Sequence, residues 1–182
     1  MKRFVLVALS VLGLSSVSFA DTDFGVEVGI RQQSGDVEGS GTSSDSENGI
    51  QFGGFAHFQL VDNLHLRTGM LYTERPLMTK SILGESKVKL TYLDVPVALM
   101  YKFEEGAGVY GGVSLAMKLD ASSDLGDPTD VTSPLIPIIF GTFFKFHPNF
   151  GVNIYYEMAS GKVADGLENY RAVGANLMIA FD

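Results

Sequence analysis

The chain has 182 residues with 13 basic against 21 acidic side chains, a formal charge of −8 and no cysteine. The acid excess excludes nucleic acid as a partner, and the lack of thiols excludes disulfide staples and thiolate metal sites. Beyond the first twenty residues no apolar run approaches the roughly 18 residues of a membrane helix, so any membrane crossing must be made by strands.

The chain opens MKRFVLVALSVLGLSSVSFA, with Lys2 and Arg3 ahead of an apolar run from Phe4 to Leu14 and small residues leading to Ala20. This is the pattern of a cleavable signal peptide over 1–20, with Asp21 as the mature start. Losing Lys2 and Arg3 with it would take the formal charge from −8 to −10.

Along 21–182 the apolar residues alternate. Phe24, Val26, Val28 and Ile30 share one face of a first strand, with Glu27 and Arg31 on the other. Ser34 to Asn48 is rich in Gly, Ser and acid and reads as a long polar loop. Ile50 to Leu60 alternates again, and Val61, Asp62 and Asn63 turn the chain tightly into Leu64, Leu66, Met70 and Tyr72. Thr73 to Lys87 reads as a second long connection that extends both flanking strands beyond the membrane.

Thr91 to Phe103 shows the pattern most plainly. Leu93, Val95, Val97, Leu99, Tyr101 and Phe103 form a wholly apolar face, while Asp94 and Lys102 lie on the other. Eleven such residues at about 3.3 Å rise, tilted about 40°, stand roughly 27 Å tall, near the ~25 Å apolar band of an outer-membrane barrel. Val88, Leu90 and Tyr92 have the opposite parity, which predicts a β-bulge or a water-exposed upper strand near Tyr92. Pro96 predicts a locally broken ladder bond. Glu104 to Gly108 turns the chain into a strand with Val109, Val113, Leu115 and Met117 on its apolar side. If Phe103 opposes Val109, Asp94 falls beside Lys118 and the two are expected to pair.

Asp120 to Ser133 reads as an acidic loop, followed by Ile136 to Phe146, the turn His147 to Asn149, and a strand carrying Phe150, Val152, Ile154, Tyr156 and Met158. Ser160 to Asn169 is a further long loop, and the strand Tyr170 to Phe181 closes the chain. Long connections and short turns alternate strictly. That predicts an all-β fold, an eight-stranded antiparallel up-and-down transmembrane β-barrel with both termini and the short turns on the periplasmic side.

YLDVPVALMYKF, followed by VYGGVSLAMKL, resembles the signature of the outer-membrane β-barrel family that includes PorT-like proteins, and in size the chain resembles the small OmpX-like barrels. The resemblance implies residence in the bacterial outer membrane, no enzymatic residues and no cofactor. The last strand, with Leu177, Ile179 and Phe181 at alternate positions, is similar to the signal read by the barrel-assembly machinery. The implied surroundings are outer-membrane lipid and lipopolysaccharide, with an unidentified surface ligand for the acidic loops.

With the apolar faces toward lipid, Glu27, Arg31, Arg67, Asp94, Lys102, Lys118, Lys145 and Glu157 point inward, together with His57 and His65. Eight strands enclose room only for side chains, and buried charges must pair, so these residues are expected to form a polar plug. A narrow anion-preferring, porin-like channel is the alternative. A lipid hydrolase is a third reading, but it needs a nucleophile and base near the outer leaflet, and the histidines lie low or in a turn. A soluble lipocalin-like barrel would need the apolar faces inward, crowding the aromatics into one lumen and exposing the glycines.

Overall fold

The computed structural model describes residues 22–37, 43–81, 84–123, 131–164 and 167–181. The expected leader at 1–20 lies outside them. Among the described residues there are nine strands: β1 (Thr22–Val37), β2 (Ser43–Asp45), β3 (Glu47–Val61), β4 (Leu64–Ser81), β5 (Gly84–Glu104), β6 (Ala107–Ser123), β7 (Ile138–His147), β8 (Phe150–Ala164) and β9 (Leu167–Phe181). All pairings are antiparallel; the eight long strands pair in chain order, β1 with β3, β1 also pairs β9, and the ring closes, while the short β2 adds to the far end of β4. The ring of eight long strands leaves no open edge within the band, the condition that lets a sheet cross a bilayer.

The alternation places the faces as expected. Val97, Leu99, Tyr101 and Phe103 are about half exposed on the outer wall, while Asp94, Ala98, Met100 and Lys102 are buried inside. The apolar outer wall is therefore the lipid surface. Three tight turns at 62–63, 105–106 and 148–149 lie together at one end. Backbone bonds lace that end, from Lys102 N to Asn63 O (2.8 Å) and from Lys145 N to Gly106 O (2.6 Å).

The strands run further than their apolar segments. Much of the expected loop 34–48 is strand, with β1 reaching Val37 and β3 starting at Glu47. Most of 73–87 belongs to one hairpin, paired up to Ser81 and Gly84. Similarly, β6 reaches Ser123, and β8 and β9 pair as far as Ala164 and Leu167. A ladder already in register can lengthen pair by pair in water without an apolar face to advertise it, which is why polar composition misread parts of 34–48, 120–133 and 160–169 as loops, while 73–87 extends both flanking strands as expected.

Near Tyr92 the structure follows the second of the two expectations, a water-exposed upper strand, and it moves the bulge to the neighbouring strand. A bulge is present at that level, but the unpaired residue is Leu119 of β6, because Thr91 faces Asp120 and Tyr92 faces Lys118. Parity along β5 does not slip: Leu90 and Tyr92 point inward with Asp94 and are fully buried. Above the bilayer the outside is water, so the apolar side of the same strand turns to the interior. The register also differs from expectation, because Tyr101, not Phe103, faces Val109. Asp94 consequently stands opposite Ala116 rather than Lys118.

Pro96 does interrupt pairing. The β4–β5 register runs through Thr68 and Val97 and resumes at Leu71 and Asp94, leaving Gly69 and Met70 opposite Pro96 and Val95 unpaired.

Candidate functional site

The lumen is built in layers, each drawn from strands on opposite sides of the ring. At the turn end, Asp23 of β1 accepts from Lys102 of β5 and Lys145 of β7, each at 2.9 Å. His57 lies above it with Nδ1 3.7 Å from Asp23 Oδ2. Its Nε2 is 2.7 Å from Arg67 Nη1. A guanidinium only donates, so this nitrogen is the acceptor and the imidazole proton is on Nδ1, facing Asp23.

The next layer centres on Glu27, whose two oxygens both accept from Arg67 Nη2 at 2.9 Å. Asn153 Nδ2 donates to Glu27 Oε2 (3.1 Å) and Tyr110 Oη to Asn153 Oδ1 (2.8 Å). Above it Arg75 donates to both oxygens of Asp94 (3.1 and 2.8 Å) and to Glu157 Oε1 (2.8 Å). Arg31 approaches the same Glu157 oxygen at 3.1 Å and hydrogen-bonds Tyr170 Oη. The faces of Tyr92 and Tyr170 lie 4.6 and 5.4 Å from the Arg75 guanidinium carbon. Such stacking on aromatic rings, added to carboxylate pairing, is how a guanidinium is kept charged away from water.

A lid of apolar side chains follows: Leu77, Leu90, Tyr92, Leu135, Val163 and Tyr170, all buried. Leu135 comes from the segment that leads into β7 and belongs to none of the nine strands. It bonds Ala116 through both backbone groups (2.8 and 2.9 Å), in a segment whose Thr132 N reaches Val163 O at 2.9 Å.

Of the residues expected inside, Glu27, Arg31, Arg67, Asp94, Lys102 and Glu157 are buried in this stack, and Lys145 is half-buried with Asp23. His57 and His65 are buried as well. Lys118 is the exception and is exposed. It keeps the parity of Tyr92, which it faces across the ladder just before the bulge, and Asp94 has Arg75 in its place. Two members of the stack escaped the sequence reading, Asp23 and Arg75. Each sits on the inward parity of a recognised strand, four residues before Glu27 and eight after Arg67. Extending the alternation past the apolar run in both directions would have found them.

Between the Glu27 and Asp94 layers lies a cavity of about 30 Å³, and at the turn end an open vestibule of about 870 Å³ reaches Asp23, His65, Lys102 and Lys145. Among the described residues no cluster of three or more histidine or acidic side chains could hold a metal ion.

The outer membrane protein beta-barrel domain model matches residues 4–181. The chain belongs to this family. Its barrel is therefore an outer-membrane barrel, and the half-exposed apolar wall faces lipid. Among solved structures, the attachment invasion locus protein Ail of Yersinia pestis, in complex with the heparin analogue sucrose octasulfate, is similar at a TM-score of 0.53. The two are 16% identical over 88% of this chain and 99% of that one. Ail alone gives 0.52 at 13% identity over the same shares. OprG of Pseudomonas aeruginosa gives 0.45 at 14% identity, over 87% of this chain and 93% of that one. At these identities the likeness is one of fold. None of the curated proteins matches the chain in sequence.

Proposed function

We propose that this protein is a non-enzymatic outer-membrane barrel with a closed lumen, acting structurally or through its exposed surface at the long-hairpin end. The observation that carries this reading is the double seal: a cross-linked layer of Arg31, Arg75, Asp94 and Glu157 lies directly beneath the apolar lid. An ion would have to part paired charges and then cross a dry layer. The charges also argue against an anion path. With Asp23 and Arg75 included and Lys118 outside, five cations in the stack face four carboxylates, each carboxylate already paired with a cation. His57 is engaged by Arg67 deep in the stack, which leaves it unable to serve a nucleophile at the outer rim.

The long hairpins face the exterior and the turns the periplasm, with lipopolysaccharide as the natural neighbour of the upper wall and the last strand as the assembly signal. The sulfated ligand held by Ail is not carried over, because a polyanion would meet a chain of net charge −8.

Reconstitution in a planar bilayer tests the reading. The intact protein is expected to give no steady conductance, whereas Arg75→Ala combined with Glu157→Ala is expected to give flickering current. Steady ion-selective conductance from the unaltered protein would replace this proposal with the channel.

A further inference from the structure

The cavity in the middle of the lumen lies between the Arg31 and Arg75 layer above and the His57, Met100 and Phe143 layer below, all of them buried. Its lining is mixed, with Glu27, Arg67, Asp94, Asn153 and Glu157 among apolar walls from Leu71 and Ile139. Ser114 lines it too. That side chain is 3% exposed, and its hydroxyl reaches no hydrogen-bond partner in the protein. A buried hydroxyl left without a partner is costly, on the order of 1–3 kcal/mol, so a native site retains one where something else satisfies it. Pro96, directly opposite Ser114, lines the same space at the point where the β4–β5 ladder is interrupted.

Size and charge identify the occupant. A cavity of about 30 Å³ has room for roughly two water molecules at about 10–15 Å³ each and is too small for any organic ligand. The three guanidinium groups of Arg31, Arg67 and Arg75 are balanced by the three carboxylates of Glu27, Asp94 and Glu157. No further charge is called for, so the occupant is neutral. We infer that this cavity is a built hydration site holding about two ordered waters, one of which bonds Ser114 Oγ and bridges it to the charged wall. This site rests on the closed lumen of the proposed function, since a conducting lumen would carry exchanging water along its whole length, whereas a dry cavity would overturn the site alone.

Water-to-protein magnetisation transfer in lipid bilayers, read by solid-state NMR, tests the site. The protein as it stands is expected to give strong water cross peaks at Ser114 Cβ and Asn153 Nδ2 and none at Met100, in the sealing layer below. Ser114→Val is expected to abolish the Ser114-side transfer and at least halve the Asn153 peak, and to lower the urea midpoint in vesicles. Missing cross peaks in the unaltered protein, or a midpoint raised by Ser114→Val, would mean that the cavity is dry and overturn the inference. Equal transfer at Ser114 and Met100 would overturn the isolated site in favour of continuous water, the outcome that also sinks the closed lumen.

Discussion

Arg75 and Asp94 face each other in the middle of the barrel as a two-pronged pair, Nη1 to Oδ1 at 3.1 Å and Nη2 to Oδ2 at 2.8 Å. They belong to neighbouring strands, and Arg75 then reaches across the lumen to Glu157 on β8. This one guanidinium therefore ties β4 to both its neighbour and the opposite wall.

Removing it takes the two-pronged partner from buried Asp94 and leaves Glu157 with Arg31 alone. Arg75→Ala is expected to cost about 3–5 kcal/mol, the range for breaking a buried pair from one side. The exposed Lys118→Ala should stay within about 0.5 kcal/mol. Urea unfolding in lipid vesicles, followed by tyrosine fluorescence and the gel mobility of the folded barrel, compares them; similar midpoints would show that the stack does not brace the ring.

The lipid-facing wall gives a second test. Val97 is 48% exposed, six residues from Phe103 and near the centre of the apolar band. Val97→Lys places a charge there and should cost about 2–4 kcal/mol. Its inward neighbour Ala98 is buried, and Ala98→Ser should cost under about 1 kcal/mol where water or a neighbour meets the hydroxyl. A tolerated lysine beside a damaging serine would reverse the faces.

Aromatic rings lie over inward glycines opposite them. A Cβ on Gly141 would sit 2.6 Å from Tyr110 Oη and 2.5 Å from Ile154 O, and Tyr155 covers Gly174 in the same way. Gly141→Ala should therefore cost about 1–3 kcal/mol through forced displacement of the ring. Gly54, on the lipid-facing parity, has its nearest atom at 3.6 Å, and Gly54→Ala should be nearly neutral. The same vesicle assay separates the two, and equal losses would point to backbone freedom as the reason for both glycines.

Orientation can be read on cells, because the chain has no cysteine of its own. Glu105→Cys lies in the β5–β6 turn and Ser160→Cys in the far half of β8, both at exposed positions. A membrane-impermeant maleimide added to intact cells should label the Ser160 variant and leave the Glu105 variant unlabelled until the cells are opened. The reverse pattern would invert the barrel.

The sequence by itself determined the wall. Strict alternation over Phe24–Ile30, Leu93–Phe103 and Val173–Phe181 decides which side of each strand meets lipid, because a bilayer accepts only one kind of face and a slip of one residue would expose every charge to it. It also located the three tight turns and the break at Pro96. The contents of the lumen were only half legible. Lys118 shares the inward parity of Asp94, yet a register two residues from the expected one sets it opposite Tyr92 and leaves Ala116 opposite Asp94. Arg75 and Asp23 lie beyond the apolar runs, where alternation no longer advertises a strand. Leu90 and Tyr92 obey the alternation with its meaning reversed, since above the bilayer water is outside and the apolar side chains close the interior. Register, strand length beyond the membrane and partners across the lumen are set by contacts between strands distant in sequence. Only the closed ring brings Asp23 to Lys145, or Arg75 to Glu157.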